Sequence, residues 1–191
     1  MDRAQRIERL FQIVLDNFSL AEHIISYLAT VHAHQIPPPR ITVIMQSDGA
    51  DAYVPGSSCG FFTTPVFHQA IIDVRRTLSF FKLRYGYKAG CLEPYVDQKH
   101  PNNRSIFDFG LPSVTPAELL ALSQEVIESA PDQVLRDVLV YADTQLAHFT
   151  KDEHQPDLGN LLKACRLMGE GILRFVYDRA ALPRPVIQAK S

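Results

Sequence analysis

RAQRIERLFQIVLDNFSLAEHIISYLATVHA, residues 3–33, is the stretch on which the fold reading turns. Ile7, Leu10, Phe11, Val14, Phe18, Ala21, Ile25 and Leu28 recur there at mostly three- and four-residue intervals, with no glycine or proline among them. That spacing belongs to one face of an α-helix. One long helix satisfies the pattern, and so do two short ones, because Ser19 followed by Glu22 has the form of a capping box that restarts a helix after Phe18. Pro37, Pro38 and Pro39 end the element in either case.

The same period returns further along the chain. Thr64 and Pro65 have the form of an N-cap and first helical residue, and Phe67, Ala70, Ile71, Val74, Leu78, Phe81 and Tyr85 continue the stripe, predicting a helix over 65–85. Thr115, Pro116 and Glu118 open a helix to about 129, and Pro131 opens one to about 149 with Leu135, Val138, Leu139, Ala142, Leu146 and Phe149 on its apolar side. Pro156 and Asp157 start a last helix over 157–180, carrying Leu161, Leu162, Cys165, Met168, Ile172 and Phe175. Leu139, Leu146, Leu162 and Phe175 are expected in the core. Two stretches lack such a period. Ile41–Met45 is β-prone, but Asp48, Gly49, Pro55 and Gly56 are turn formers, so this region reads as a covering loop rather than a sheet. Residues 87–114 carry Gly90, Pro94, Pro101, Gly110 and Pro112 and read as an irregular cover. The expected architecture is all-α, a bundle of about five helices with long irregular loops at about 35–64 and 87–114. It forms a single helical domain over 1–182, followed by an extended tail at 183–191 marked by Pro183 and Pro185.

A chain of 191 residues with 46% apolar and 21% charged content is long enough for one substantial core. A net charge of -2 excludes gripping nucleic acid through overall charge and leaves only a local basic stripe for that task. Cys59, Cys91 and Cys165 have none of the paired spacings of zinc or redox sites and read as reduced thiols. The first residues mix charge with apolar side chains, and no apolar run nears the ~20 residues that span a bilayer. The expectation is a soluble, cytoplasmic protein with no membrane partner. No cofactor is expected, since phosphate loop, nucleophile elbow and metal signature are all missing. His32 and His34, with His23 or His148, are the nearest approach to a metal set, and an i, i+2 spacing is poor for joint ligation from a helix.

Chemistry has two candidate seats. In Tyr141-Ala142-Asp143-Thr144-Gln145-Leu146-Ala147-His148-Phe149, His148 sits on the flank of its helix, with Thr144 and Tyr141 near the same line. A histidine there titrates near neutrality and serves as acid or base; equally, it is a helix-end residue favoured beside the C-terminal dipole. His68, Arg75 and Lys82, with Arg76 and Arg84 nearby, align positive charge on one helix face, which suits either phosphate or plain solvent.

Asp143 to His148, followed by a short polar loop and a long amphipathic final helix ending Phe175-Val176-Tyr177-Asp178, resembles the C-terminal half of a HEPN domain of the abortive-infection type, over residues 115–180. The resemblance implies an all-helical homodimer that cleaves RNA without metal, through an arginine, an adjacent polar residue and a histidine. On this pattern Asp143 takes the polar position and His148 the histidine position, but Ala142 stands where arginine belongs. Alanine cannot stabilise charge on a phosphate. No histidine of the seven has an arginine five to seven residues before it, so the cation has to come from elsewhere: Arg75, Arg76, Arg104 or a second subunit. The implied function is RNA-directed, defence- or toxin-like, with a weakened or lost metal-independent endoribonuclease activity. The alternative is a non-enzymatic helical dimerisation and protein-interaction module. Arg75, Arg76, Lys82 and Arg104 are the expected RNA contacts, and an RNA or protein partner is expected beside the second copy.

Overall fold

The structure is a computed structural model and describes residues 2–33, 41–47, 50–57, 59–95, 104–143 and 157–186. Helix α1 runs unbroken over Arg3–Ala33. Asp2 starts it, its carboxylate accepting from the Gln5 amide at 2.8 Å while the Gln5 side chain accepts from the Asp2 amide at 3.2 Å. The expected restart at Ser19 does not occur, because Ile7, Phe11, Leu15, Phe18, Ala21 and Ile25 form one buried line along the whole helix. Burial of that line outweighs a local capping preference.

A hairpin follows, β1 (Ile41–Ser47) paired antiparallel with β2 (Ala50–Ser57). This corrects the expectation of a covering loop at 35–64. The β-prone run does form a strand, and a register shift between Ile41 and Val43 accompanies the return past Pro55 and Gly56. Helix α2 (Cys59–Phe80) begins before Thr64, so Pro65 lies inside it, and it ends before the expected Tyr85. Lys82 takes φ +65°, a left-handed conformation that stops the helix without a glycine. The chain turns directly into β3 (Leu83–Gly86), paired antiparallel with β4 (Cys91–Pro94). Tyr85 is therefore buried from a strand, and the region 87–114 contains β4 and a 3-10 turn at Ile106–Phe109 rather than irregular cover alone.

Helix α3 (Pro116–Val126) opens on the capping box read from the sequence, with the Glu118 amide donating to Thr115 Oγ1 at 3.2 Å and the Thr115 amide to Glu118 Oε2 at 2.8 Å. It stops short of 129, where Glu128 adopts φ +50°. Helix α4 (Pro131–Tyr141) passes into a wider turn at 142–143; the rest of the helix expected to 149 lies outside the described residues, as do Leu146 and His148. Helix α5 (Leu158–Ile172) continues as a π-helical turn over Leu173–Asp178. Residues 182–186 carry neither helix nor strand, and Arg184 ties them back to Asp178 at 2.7 Å and Glu170 at 3.1 Å.

The molecule is mostly helical, and α5 is its hub: α1, α2, α3 and α4 all pack on it. Leu161, Ala164, Cys165, Leu167, Met168 and Ile172 are fully buried there. Leu139 and Phe175 are core residues as expected, and Leu162 packs on the core from a partly buried position. Gly171 lets Phe81 sit close against α5, since a Cβ there would lie 3.0 Å from Phe81 Cε2. No helix among the described residues is long and apolar enough to cross a membrane.

Candidate functional site

Helix α2 sorts its residues by face. Ala70, Ile71, Val74, Leu78 and, just past the helix end, Phe81 point into the bundle, so Gln69, Ile72, Arg76 and Ser79, spaced three or four apart, form a flank turned towards α1. That flank and α1 border an open groove of about 870 Å³. Phe11 and Phe80 line its base, ring edge to ring face, with centroids 4.9 Å apart. Leu10, Ile13 and Val14 make an apolar wall on the α1 side. Arg9, Arg75, Arg76 and Arg104 supply positive charge. Ala142 closes one end.

Asp73 is the acidic residue of this lining, and it is already occupied: Asn17 Nδ2 donates to it at 2.8 Å and Gln69 Nε2 at 3.0 Å, leaving Arg76 Nη1 at 3.9 Å. Arg9 and Arg104 have no ion pair among the described residues. Four arginines and one carboxylate leave the lining of the groove positively charged.

Just beyond the groove, α2 meets the end of α4. Arg75 Nη2 lies 3.0 Å from Asp143 Oδ1, and the Tyr87 hydroxyl donates to Asp143 Oδ2 at 2.5 Å. The buried Oδ1 meets Arg75 as charge to charge without an aligned hydrogen bond. Burial first, and then the Asp143 carboxylate, push the Tyr87 hydroxyl well above the usual tyrosine range, so it stays protonated and donates. One turn of α2 before Ile72, His68 Nε2 lies 2.9 Å from the Tyr141 hydroxyl. A protein arginine, a carboxylate, two tyrosines and a histidine thus converge at the junction, from α2, the β3–β4 turn and the end of α4.

Of the residues singled out from sequence, Arg75, Arg76 and Arg104 come together in the groove and Asp143 borders it through Arg75. His148 lies outside the described residues. Lys82 is not brought to the groove: it stands past the end of α2, with its ammonium 6.0 Å from the centroid of the Tyr95 ring. Arg84 is paired with Glu93 at 2.8 Å. The stripe His68, Arg75, Lys82 is broken because the helix that would align its third member ends at Phe80. Sequence reasoning missed Arg9, the apolar wall and Tyr87. Arg9 and Ile13 are four apart on α1, which marks them as one flank, but nothing local says which helix that flank will face. Within the chain Gly171 lies against Phe81, and Gly169 against Phe18 and Leu15. Among the described residues no group of three or more His, Cys, Asp or Glu is arranged to hold a metal ion. No family model, no curated protein and no solved structure matches this chain.

Proposed function

We propose that the protein is a HEPN-like, RNA-directed helical protein of the defence or toxin-like kind, in which metal-independent ribonuclease activity is weakened or lost and the α1–α2 groove contacts RNA phosphates. The observation that carries this reading is the set of four arginines in one groove, Arg9, Arg75, Arg76 and Arg104, on a chain whose net charge is -2. Positive charge concentrated against the overall balance supports a local polyanion contact. Arg75 also supports the link to the Asp143 segment, since it lies 3.0 Å from that carboxylate and supplies a cation where Ala142 does not. Cleavage is expected to be slow, because Arg75 arrives already paired and a displaced charge-stabilising donor costs about 10²- to 10³-fold in rate. A homodimer belongs to the same reading.

The test is fluorescence anisotropy of a labelled single-stranded RNA with the native chain and with the Arg75→Ala, Arg76→Ala double variant, at several salt concentrations. Native binding that weakens with salt, and a slope of log affinity against log salt reduced by about two in the double variant, are expected. Equal binding by both proteins removes the groove from the reading. A gel assay of the same RNA in chelator follows cleavage, with His148→Ala expected to abolish whatever activity is present. The second reading, a non-enzymatic interaction module, draws on Leu20 and Tyr27, exposed seven residues apart on α1. Native protein that binds no RNA but sediments as a dimer would favour it.

A further inference from the structure

The groove has two unlike walls, and phosphate contact accounts for only one. On the α2 side stand Arg75 and Arg76. On the α1 side Leu10, Ile13 and Val14 stand beside Arg9, and Ile13 is 65% exposed. An anion that was nothing more than a phosphate would leave this wall and its aromatic base in water. A duplex would do the same, because it presents phosphates and sugars outward and keeps the faces of its bases stacked inside. An unpaired nucleotide carries both elements that the walls call for: a flat, largely apolar base, and a phosphate joined to it through one sugar. The groove of about 870 Å³ is of ordinary ligand-site size.

Building on the RNA-directed reading, we propose that the α1–α2 groove is a site for a single unpaired nucleotide, its base against Leu10, Ile13 and Val14 and its phosphate on Arg75 and Arg76. Arg9 and Arg104 extend the positive charge at the groove and suit the neighbouring phosphates of a strand. Specificity for the unpaired state comes from the apolar wall, and strength in low salt comes from the arginines. The base contact is sequence-tolerant, because every base has an apolar face.

The experiment uses the full chain and anisotropy of a labelled single-stranded oligoadenylate, competed by its abasic counterpart, the matching duplex and adenosine monophosphate. The intact single strand is expected to bind about tenfold more tightly than the abasic strand, the size of one base contact. Ile13→Ser should lose most of that advantage while leaving abasic binding and the salt slope unchanged; the substituted side chain is exposed, and circular dichroism checks that the fold is kept. Arg75→Ala should instead weaken all strands together and lower the salt slope. Displacement by adenosine monophosphate supports the proposal with a free nucleotide or strand end as occupant. Its failure to displace, with single-strand preference retained, supports the proposal with an internal nucleotide. Equal affinity for intact and abasic strands, or tighter binding of duplex, overturns the proposal while the RNA reading stands. No binding of any nucleic acid overturns both.

Discussion

The two flanks of α1 differ in how they meet their neighbours. Where α1 faces α5, Phe18 and Leu15 lie over Gly169 at ordinary contact distance, and Glu22 pairs with Arg166 at 3.2 Å. Apolar contact and opposite charge work together there, and Cys165 is sealed completely; burial pushes its thiol far above the usual range, leaving it unreactive. Where α1 faces α2, Phe11 and Phe80 touch at the base, but above them Arg9 stands across from Arg75 and Arg76. Like charges give neither helix a reason to close over the apolar wall. The α2-facing flank thus gathers positive charge, whereas the α5-facing flank balances Arg166 with Glu22.

The largest effect expected from this contrast is on the closed flank. Phe18→Ala removes a fully buried ring and should cost about 3–5 kcal/mol of unfolding free energy, read by urea denaturation. A loss under ~1 kcal/mol would mean that Phe18 does not anchor the α1–α5 packing. On the open flank, Arg9→Glu should weaken binding of a single-stranded RNA by about tenfold, with stability unchanged within ~0.5 kcal/mol. A large stability change would show that Arg9 has a structural partner after all. Next comes Asp143→Asn, which keeps the shape but releases Arg75 from its 3.0 Å partner. RNA binding should tighten by about threefold, in line with the ~0–1 kcal/mol of an exposed ion pair. Unchanged binding would remove Arg75 from the set of available cations.

The smallest effect is a pH dependence. Burial raises the Glu22 carboxyl above its ordinary 4.5, and the hydrogen bond and charge of Arg166 only partly offset this. The folded state thus holds this proton more tightly than the unfolded one, so its contribution is fully present below pH 4.5 and is lost as pH rises through the folded value. Glu22→Gln removes that titration. The stability of the native chain relative to the variant should therefore decline as pH rises from 4.5 towards neutrality, measured by denaturation at each pH. A difference independent of pH would mean that Arg166 neutralises the burial cost in full.

Much of this contrast was legible beforehand, and unevenly. The capping box of Thr115 and Glu118 and the apolar line of α1 act within a few residues, so pattern and outcome agree. The end of α2 was misread for a physical reason: Lys82 takes a left-handed conformation that residue type does not announce, and the energy for it comes from burying Leu83 and Tyr85 in a strand against the bundle. The turn formers of 50–57 concealed a strand because pairing with Ile41–Ser47 satisfies their backbone groups. Charge and spacing single out Arg75 and Arg76, which do line the groove, whereas only the end of α2 at Phe80 shows that Lys82 stands away from it.

Local pattern in the sequence is enough to give the helical material: which residues form each apolar stripe and where several helices start. Each of these follows from side-chain spacing and backbone capping, which are local. The company those residues keep is a matter of tertiary packing. Arg9 and Ile13 from α1 come opposite Arg76 and Arg75 from α2, and Arg75 reaches Asp143 across 68 positions of chain, because both helices must bury their stripes on α5. Burial sets the packing of helices, packing sets which flanks face each other, and no local pattern encodes that pairing.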